Sequence, residues 1–277
     1  MRRPIACTPS PPSSARRRVD SVRDGRVECG AMWPCLAVAA LALAALAAPV
    51  AADAERVAGR VRALVERYHE DPRRIDQARE LLEETLARER PVELLTLAAR
   101  VQFLYGDVRA TSDAERLAAY ARGRELGQRA VELAPRSEEA HLWYAINTGR
   151  WGQTKGVLRS LFLLSTMFEE LETIFAINPR SVRGHALAGN VYFEVPPLFG
   201  GDRKKAEEHY RKGLALEPRF TVLRVDLARL LIATGRLAEA RRELGRVVNE
   251  TAPASLADWT VKDRPRAREL LESLKDR

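Results

Sequence analysis

Three segments of this chain end alike: Val131-Glu-Leu-Ala-Pro135-Arg136, Phe175-Ala-Ile-Asn-Pro179-Arg180 and Leu214-Ala-Leu-Glu-Pro218-Arg219. Prolines at 91 and 253 extend the series, with intervals of 44, 44, 39 and 35 residues from Pro91 through Pro253. A near-regular period of this size predicts a stack of supersecondary units, each burying its apolar face against the next. Between the prolines the apolar residues recur at helical spacing, and no stretch alternates as a strand would. The expectation is an all-α solenoid, a right-handed superhelix of four to five helix-turn-helix pairs.

The helices can be placed individually. Val57, Val61, Leu64, Val65 and Tyr68 make one stripe. Asp71-Pro72 reads as an N-cap and first turn, with Ile75, Ala78, Leu82 and Leu86 inward. Pro91 opens a third helix through Leu94, Leu97, Ala98, Val101 and Leu104, ending near Gly106. Ser112-Asp-Ala-Glu115 is a capping box for a long helix to Ala134. Beyond Pro135 the reading is a helix from Ser137 to about Asn147, a loop around Gly149–Gly152, and a helix from about Gly156 to Ile177. Then follow Ser181–Phe193, a loop to Asp202, Arg203–Leu216, Phe220–Thr234, a tight turn at Gly235, Arg236–Asn249, and a closing helix over about 265–275. Val157 to Phe168 is apolar on nearly every side, which predicts a helix buried at the centre of the domain, with a membrane surface or pocket wall as the alternative.

The ends differ in character. Residues 1–31 are poor in apolar material and predict an unstructured extension. Residues 32–52 hold an uninterrupted apolar run, Cys35 to Ala48, of 14 residues. That suits a signal-peptide core better than a spanning helix, and Val50-Ala51-Ala52 supplies small residues for cleavage after Ala52, or alternatively after Ala54. An uncleaved anchor is the rival reading. The repeat domain would then be 53–277, periplasmic or secreted. All three cysteines, Cys7, Cys29 and Cys35, precede the cut, so neither disulfides nor thiolate chemistry is expected beyond it. After Ala52 the chain keeps 39 basic and 35 acidic residues, interleaved, which argues against a nucleic-acid partner.

These residues resemble the tetratricopeptide repeat. From Thr221, the residues Leu227-Ala228, Leu231, Gly235, Leu237, Ala240, Leu244 and Val247 fall where that family places its small and apolar signature positions. Val182–Glu217 matches at Ala188-Gly189, Tyr192, Ala206, Tyr210, Gly213 and Pro218, with about five extra residues between its helices. The segment Val195-Pro-Pro-Leu-Phe-Gly-Gly-Asp-Arg-Lys-Lys-Ala206 is also similar to TatT-type proteins, periplasmic companions of TRAP solute transporters. That likeness implies a helical bundle with a pore or groove for a small ligand. In tetratricopeptide arrays the first helix of each pair lines the concave groove, which here implies Arg183, Ala186, Asn190 and Phe193, then Val222, Val225, Arg229 and Ile232.

No acid, base and nucleophile converge in the sequence, and the four histidines have no metal-ligand spacing. A non-enzymatic binding protein is therefore expected, with neither cofactor nor metal. Gly200-Gly201-Asp202 reads as a turn and helix cap. Two candidate binding sets follow. Arg183, Asn190 and Arg229, with Phe193 as apolar anchor, would hold a peptide or protein partner in the groove. Trp151, Lys155 and Phe199, with the 195–202 loop, would serve a small-molecule ligand of a transporter-associated protein, and Asn147 and Arg150 cluster donors beside Trp151 on a loop of the kind that carries recognition.

Overall fold

A computed structural model describes residues 53–156 and 160–275; the expected extension and the signal or anchor segment lie outside them. Among the described residues the chain is a succession of helices without strands. The first, α1, covers 53–66. It is followed by α2 (Arg73–Leu86), α3 (Val92–Leu104), α4 (Asp113–Leu133), α5 (Glu138–Lys155), α6 (Leu164–Ile177) and α7 (Val182–Glu194). The series ends with α8 (Arg203–Leu216), α9 (Thr221–Ala233), α10 (Leu237–Val248) and α11 (Arg264–Ser273). Five antiparallel pairs and a terminal helix form an α-solenoid of the tetratricopeptide type.

Local chemistry accounts for the boundaries. Asp71 accepts from the Arg73 backbone N–H at the start of α2. Ser112, Ser137, Ser181 and Asp202 cap α4, α5, α7 and α8 by accepting backbone N–H groups of the first turn. Glu115 reaches back to the N–H of Thr111, one residue earlier than a standard capping box. The inward positions read from the periodicity in α2 and α3 are all buried, from Ile75 to Leu104. The small residues Ala188, Ala206 and Ala240 are fully packed between paired helices, which lets the backbones approach closely.

The structure departs from the sequence reading around residue 150. No loop forms at Gly149–Gly152, because α5 continues to Lys155 and breaks only at Gly156, whose φ of 104° is left-handed. The two glycines act in packing: a Cβ on Gly152 would lie 2.9 Å from Leu163 and one on Gly149 3.4 Å from Met167. Nor do the described residues of the apolar segment, 160–168, form a buried central helix. Residues 160–161 are helical, a turn intervenes, and α6 starts at Leu164. Phe162 is 82% exposed, and Met167 is the one fully packed residue among the described part of the segment.

The closing element also differs. Before α11 come a single helical turn, Leu256–Asp258, and a π-helical turn, Trp259–Asp263. This segment packs Ala257 into the same core as α1 to α3. The Tyr68 hydroxyl donates to Asp258 over 2.8 Å, and Lys262 reaches Asp107 over 3.1 Å. The C-terminal cap thus folds back onto the first repeats.

Close helix approach gives a paired test. A Cβ on Gly127 of α4 would lie 2.7 Å from the Tyr144 Cα of α5, while Gly245 in α10 has open space. Gly127→Ala should cost about 1–3 kcal/mol by overpacking, and Gly245→Ala should gain about 0.5–1 kcal/mol through helix propensity; thermal melts of both variants check the opposite signs.

Candidate ligand-binding site

The concave side of the helical stack encloses a cavity of about 790 Å³. Its walls are apolar: Phe103, Leu104, Trp143 and Ile146 from α3 and α5, Leu161, Leu163, Leu164 and Met167 from the start of α6, and Ala186, Leu187, Val191, Phe220, Val222 and Val225 from α7 to α9. The first helices of successive pairs face inward here, so the groove positions Arg183, Ala186, Asn190, Val222, Val225 and Arg229 become wall positions, whereas Phe193 and Ile232 pack against the core of the last repeats instead.

Charged groups enter this apolar space in two networks. In the first, Asp107 accepts from Arg150 over 2.7 Å and from Lys262 over 3.1 Å, and Lys262 lies 3.2 Å from Asp258. Burial works to raise the pKa of Asp107, but the charges of Arg150 and Lys262 outweigh it and the net shift is downward. Asp258 ends at about 2 for similar reasons: burial opposes, and Lys262 with hydrogen bonds from Ser255 and Tyr68 prevails. In the second network, Arg229 pairs with Glu194 at 2.6 Å and with Asp226 at 3.4 Å. Asn190 donates to Asp226 and accepts from the Tyr210 hydroxyl over 2.7 Å. Burial raises the pKa of Asp226 despite Arg229.

Two guanidiniums stand outside these networks. Arg100 and Arg183 both line the cavity, and their guanidinium carbons lie 5.7 and 5.8 Å from the ring centroid of Trp143. Arg183 also lies 5.4 Å from the Phe220 ring. Among the described residues neither has a carboxylate at ion-pair distance. Burial first, then the positive charge of Arg183, lowers the pKa of Arg100. Two like charges beside an indole in a cavity favour an anion between them.

The predicted residues divide accordingly. Arg150, Arg183, Asn190 and Arg229 line the cavity; of these, Arg150, Asn190 and Arg229 are already held by carboxylates. Asn147 is fully buried, donating to the carbonyls of Ala99 and Trp143, and pins α5 to α3. Trp151 sits on α5 between Arg124 and Lys155, away from the cavity lining. Phe193 is half-buried under Arg229 and packs against the core of the last repeats. Phe199 is on a 3₁₀ turn, Pro197–Phe199, and is 45% exposed. Sequence reasoning missed Arg100, Asp107, Asp258 and Lys262. The i, i+4 spacing of Asp258 and Lys262 was readable as a pair, but that it bridges to Asp107 depends on the long-range return of the cap.

The profile of the family described as "Regulator of microtubule dynamics protein 1-3" matches residues 60–207, more than half of the chain, and a tetratricopeptide repeat profile matches 200–258. Regulator of microtubule dynamics protein 3 of Rattus norvegicus is 25% identical over 186 residues, covering 56% of this chain and 40% of the relative. The Mus musculus protein of the same name is 26% identical over the same extent. The chain thus matches well under half the length of these relatives. A solved thermophilic tetratricopeptide protein from Thermus thermophilus superposes with a TM-score of 0.58 at 24% identity, covering 78% of this chain and 97% of that one. Scaffolds of this type engage protein partners as a class and are in general non-enzymatic.

The buried carboxyl of Asp263, which accepts from Thr221 over 2.7 Å, predicts a pH dependence. Burial pushes its pKa up to about 7, against the pull of Thr221 and Lys262. Folding therefore favours the protonated form, so this stability is complete below the unfolded value of about 4, is lost as pH rises towards 7, and is constant above. His209, lowered to about 4 by burial and then by His185, acts in the opposite sense below about 6.5. Asp263→Asn should reduce the fall in Tm between pH 5 and 8 relative to wild type, with His209 cancelling in the difference.

Proposed function

The chain belongs to the family described as regulator of microtubule dynamics protein 1-3, and from that premise we propose that it acts by binding, with its concave cavity receiving an amphipathic anion. The acidic head would sit between Arg100 and Arg183, and the apolar body would lie along the walls from Trp143 to Leu164 and Val222. The observation that carries this reading is the pair of guanidiniums without a carboxylate at ion-pair distance, in a cavity whose other charged side chains are mostly paired in two networks or, like Asp263, lie among them. A binding pocket of this kind combines apolar area for affinity with a few polar groups for orientation.

A peptide partner held by Arg183, Asn190 and Arg229 is less well supported, since Asn190 and Arg229 are engaged by Asp226 and Glu194. The relatives are named for microtubule dynamics. What we carry over from them is the shared helical wall within residues 60–207, because the match covers 40% of their length.

The ligand class is tested by titrating the protein with dodecyl phosphate, and with dodecanol as the neutral control, in a background where Trp33, Trp151 and Trp259 are replaced by phenylalanine so that the fluorescence followed is that of Trp143. Binding of the phosphate should exceed that of the alcohol, and Arg100→Gln or Arg183→Gln should each weaken it by about ten-fold, the size of one charge-assisted hydrogen bond. Equal binding by both variants and wild type would remove the head-group assignment. Export through residues 32–52, as for the periplasmic transporter companions of TatT type, is part of the same proposal. N-terminal sequencing of the chain from its own cells should begin at Asp53 or Glu55; an intact start would overturn it.

A further inference from the structure

Large apolar side chains are exposed at two turns beside the cavity. Phe162 is 82% exposed between Leu161 and Leu163, both of which line the cavity. Leu198 is 87% and Phe199 45% exposed, directly after Val195 and Pro196, which line it too. The two turns belong to one packed unit: Gly200 lies against the Phe168 ring of α6, and Phe168 packs 5.7 Å from Tyr192 of α7. The chain holds these side chains outward on short turns.

Their charge setting is one-sided. Arg203, Lys204 and Lys205 follow the second turn at the start of α8, all exposed and without ion pairs among the described residues. Lys205 lies over the Tyr192 ring. Of the neighbouring acids, Asp202 caps α8, Glu194 pairs with Arg229, and Glu207 pairs with Arg211 and Arg236; Glu208 follows one turn later. Three cations at a helix N-terminus run against the helix dipole, so helix stability does not explain them.

We propose that these two turns dock the protein on an anionic lipid bilayer, with Phe162, Leu198 and Phe199 entering the interface and Arg203, Lys204 and Lys205 contacting acidic head groups. Single protruding apolar side chains with adjacent cations match a membrane interface, where bulky residues insert and basic ones remain at head-group level. A folded protein partner would instead require a continuous complementary patch. The proposal is independent of the cavity ligand and places the cavity rim at the membrane.

The test uses the full chain with Cys7, Cys29 and Cys35 replaced by serine and an environment-sensitive fluorophore on Phe162→Cys, Leu198→Cys, or the control Arg88→Cys in the α2–α3 turn. With phosphatidylglycerol-containing vesicles, emission at 162 and 198 should shift to the blue and brighten several-fold. The change should be less than half as large on pure phosphatidylcholine, and should fall at least two-fold in Arg203→Glu/Lys204→Glu. Label 88 should not respond. No change at 162 and 198, an equal change at 88 (binding through the N-terminal apolar run), or equal response to neutral vesicles would each overturn the proposal. A response at 162 and 198 in a protein that binds no dodecyl phosphate would leave this proposal standing and remove the cavity reading, so the two results are distinguishable.

Discussion

The site depends on a buried ionic cluster that joins distant parts of the chain. Asp107 follows α3, Asp258 and Lys262 lie in the C-terminal turn, and Tyr68 follows α1; their contacts span up to 190 residues of sequence. Charges removed from water are costly unless paired in good geometry, and here each carboxylate has a cation and further donors. The arrangement gives little reason to expect large net stability. What it supplies is position: it brings the cap beside the first repeats, where Asp258 and Lys262 join the lining of a partly open cavity.

Within that cavity the charge balance is the basis of the proposed ligand class. Asp107 and Asp258 are kept ionised by Lys262 and Arg150, whereas Asp226 and Asp263 are pushed towards the neutral form. The cations at Arg100 and Arg183 have no carboxylate at ion-pair distance among the described residues; Asp258 and Glu139 act on Arg100 from further away, and both guanidiniums lie beside Trp143. An anion with an apolar body satisfies both features at once. The mostly engaged side chains of the second network, Arg229, Asn190 and Tyr210, hold α7, α8 and α9 together and shape the wall without offering free donors.

Much of the fold was legible in sequence because helical repeats are local objects. The proline spacing, the serine and aspartate caps and the inward residues of α2 and α3 each follow from interactions within a few turns. The errors arose where local signals have two meanings. Gly149 and Gly152 suggested a loop, but glycine also permits close helix packing, and only the presence of Leu163 and Met167 opposite decides between them. The apolar run before Phe168 suggested burial, but a cavity wall and an exposed turn use the same residues. Of the site, Arg183 was reached through the groove positions of the resemblance. Arg100 was invisible, since its role comes from meeting Arg183 across the stack, a contact between repeats that no periodicity encodes.

The most direct measurement is a crystal structure of the protein grown with dodecyl phosphate. The account predicts a phosphate within hydrogen-bond distance of both Arg100 and Arg183, with the alkyl chain along Trp143 and Leu164. A cavity without ligand density at saturating concentration, or a head group bound away from these two arginines, would contradict it.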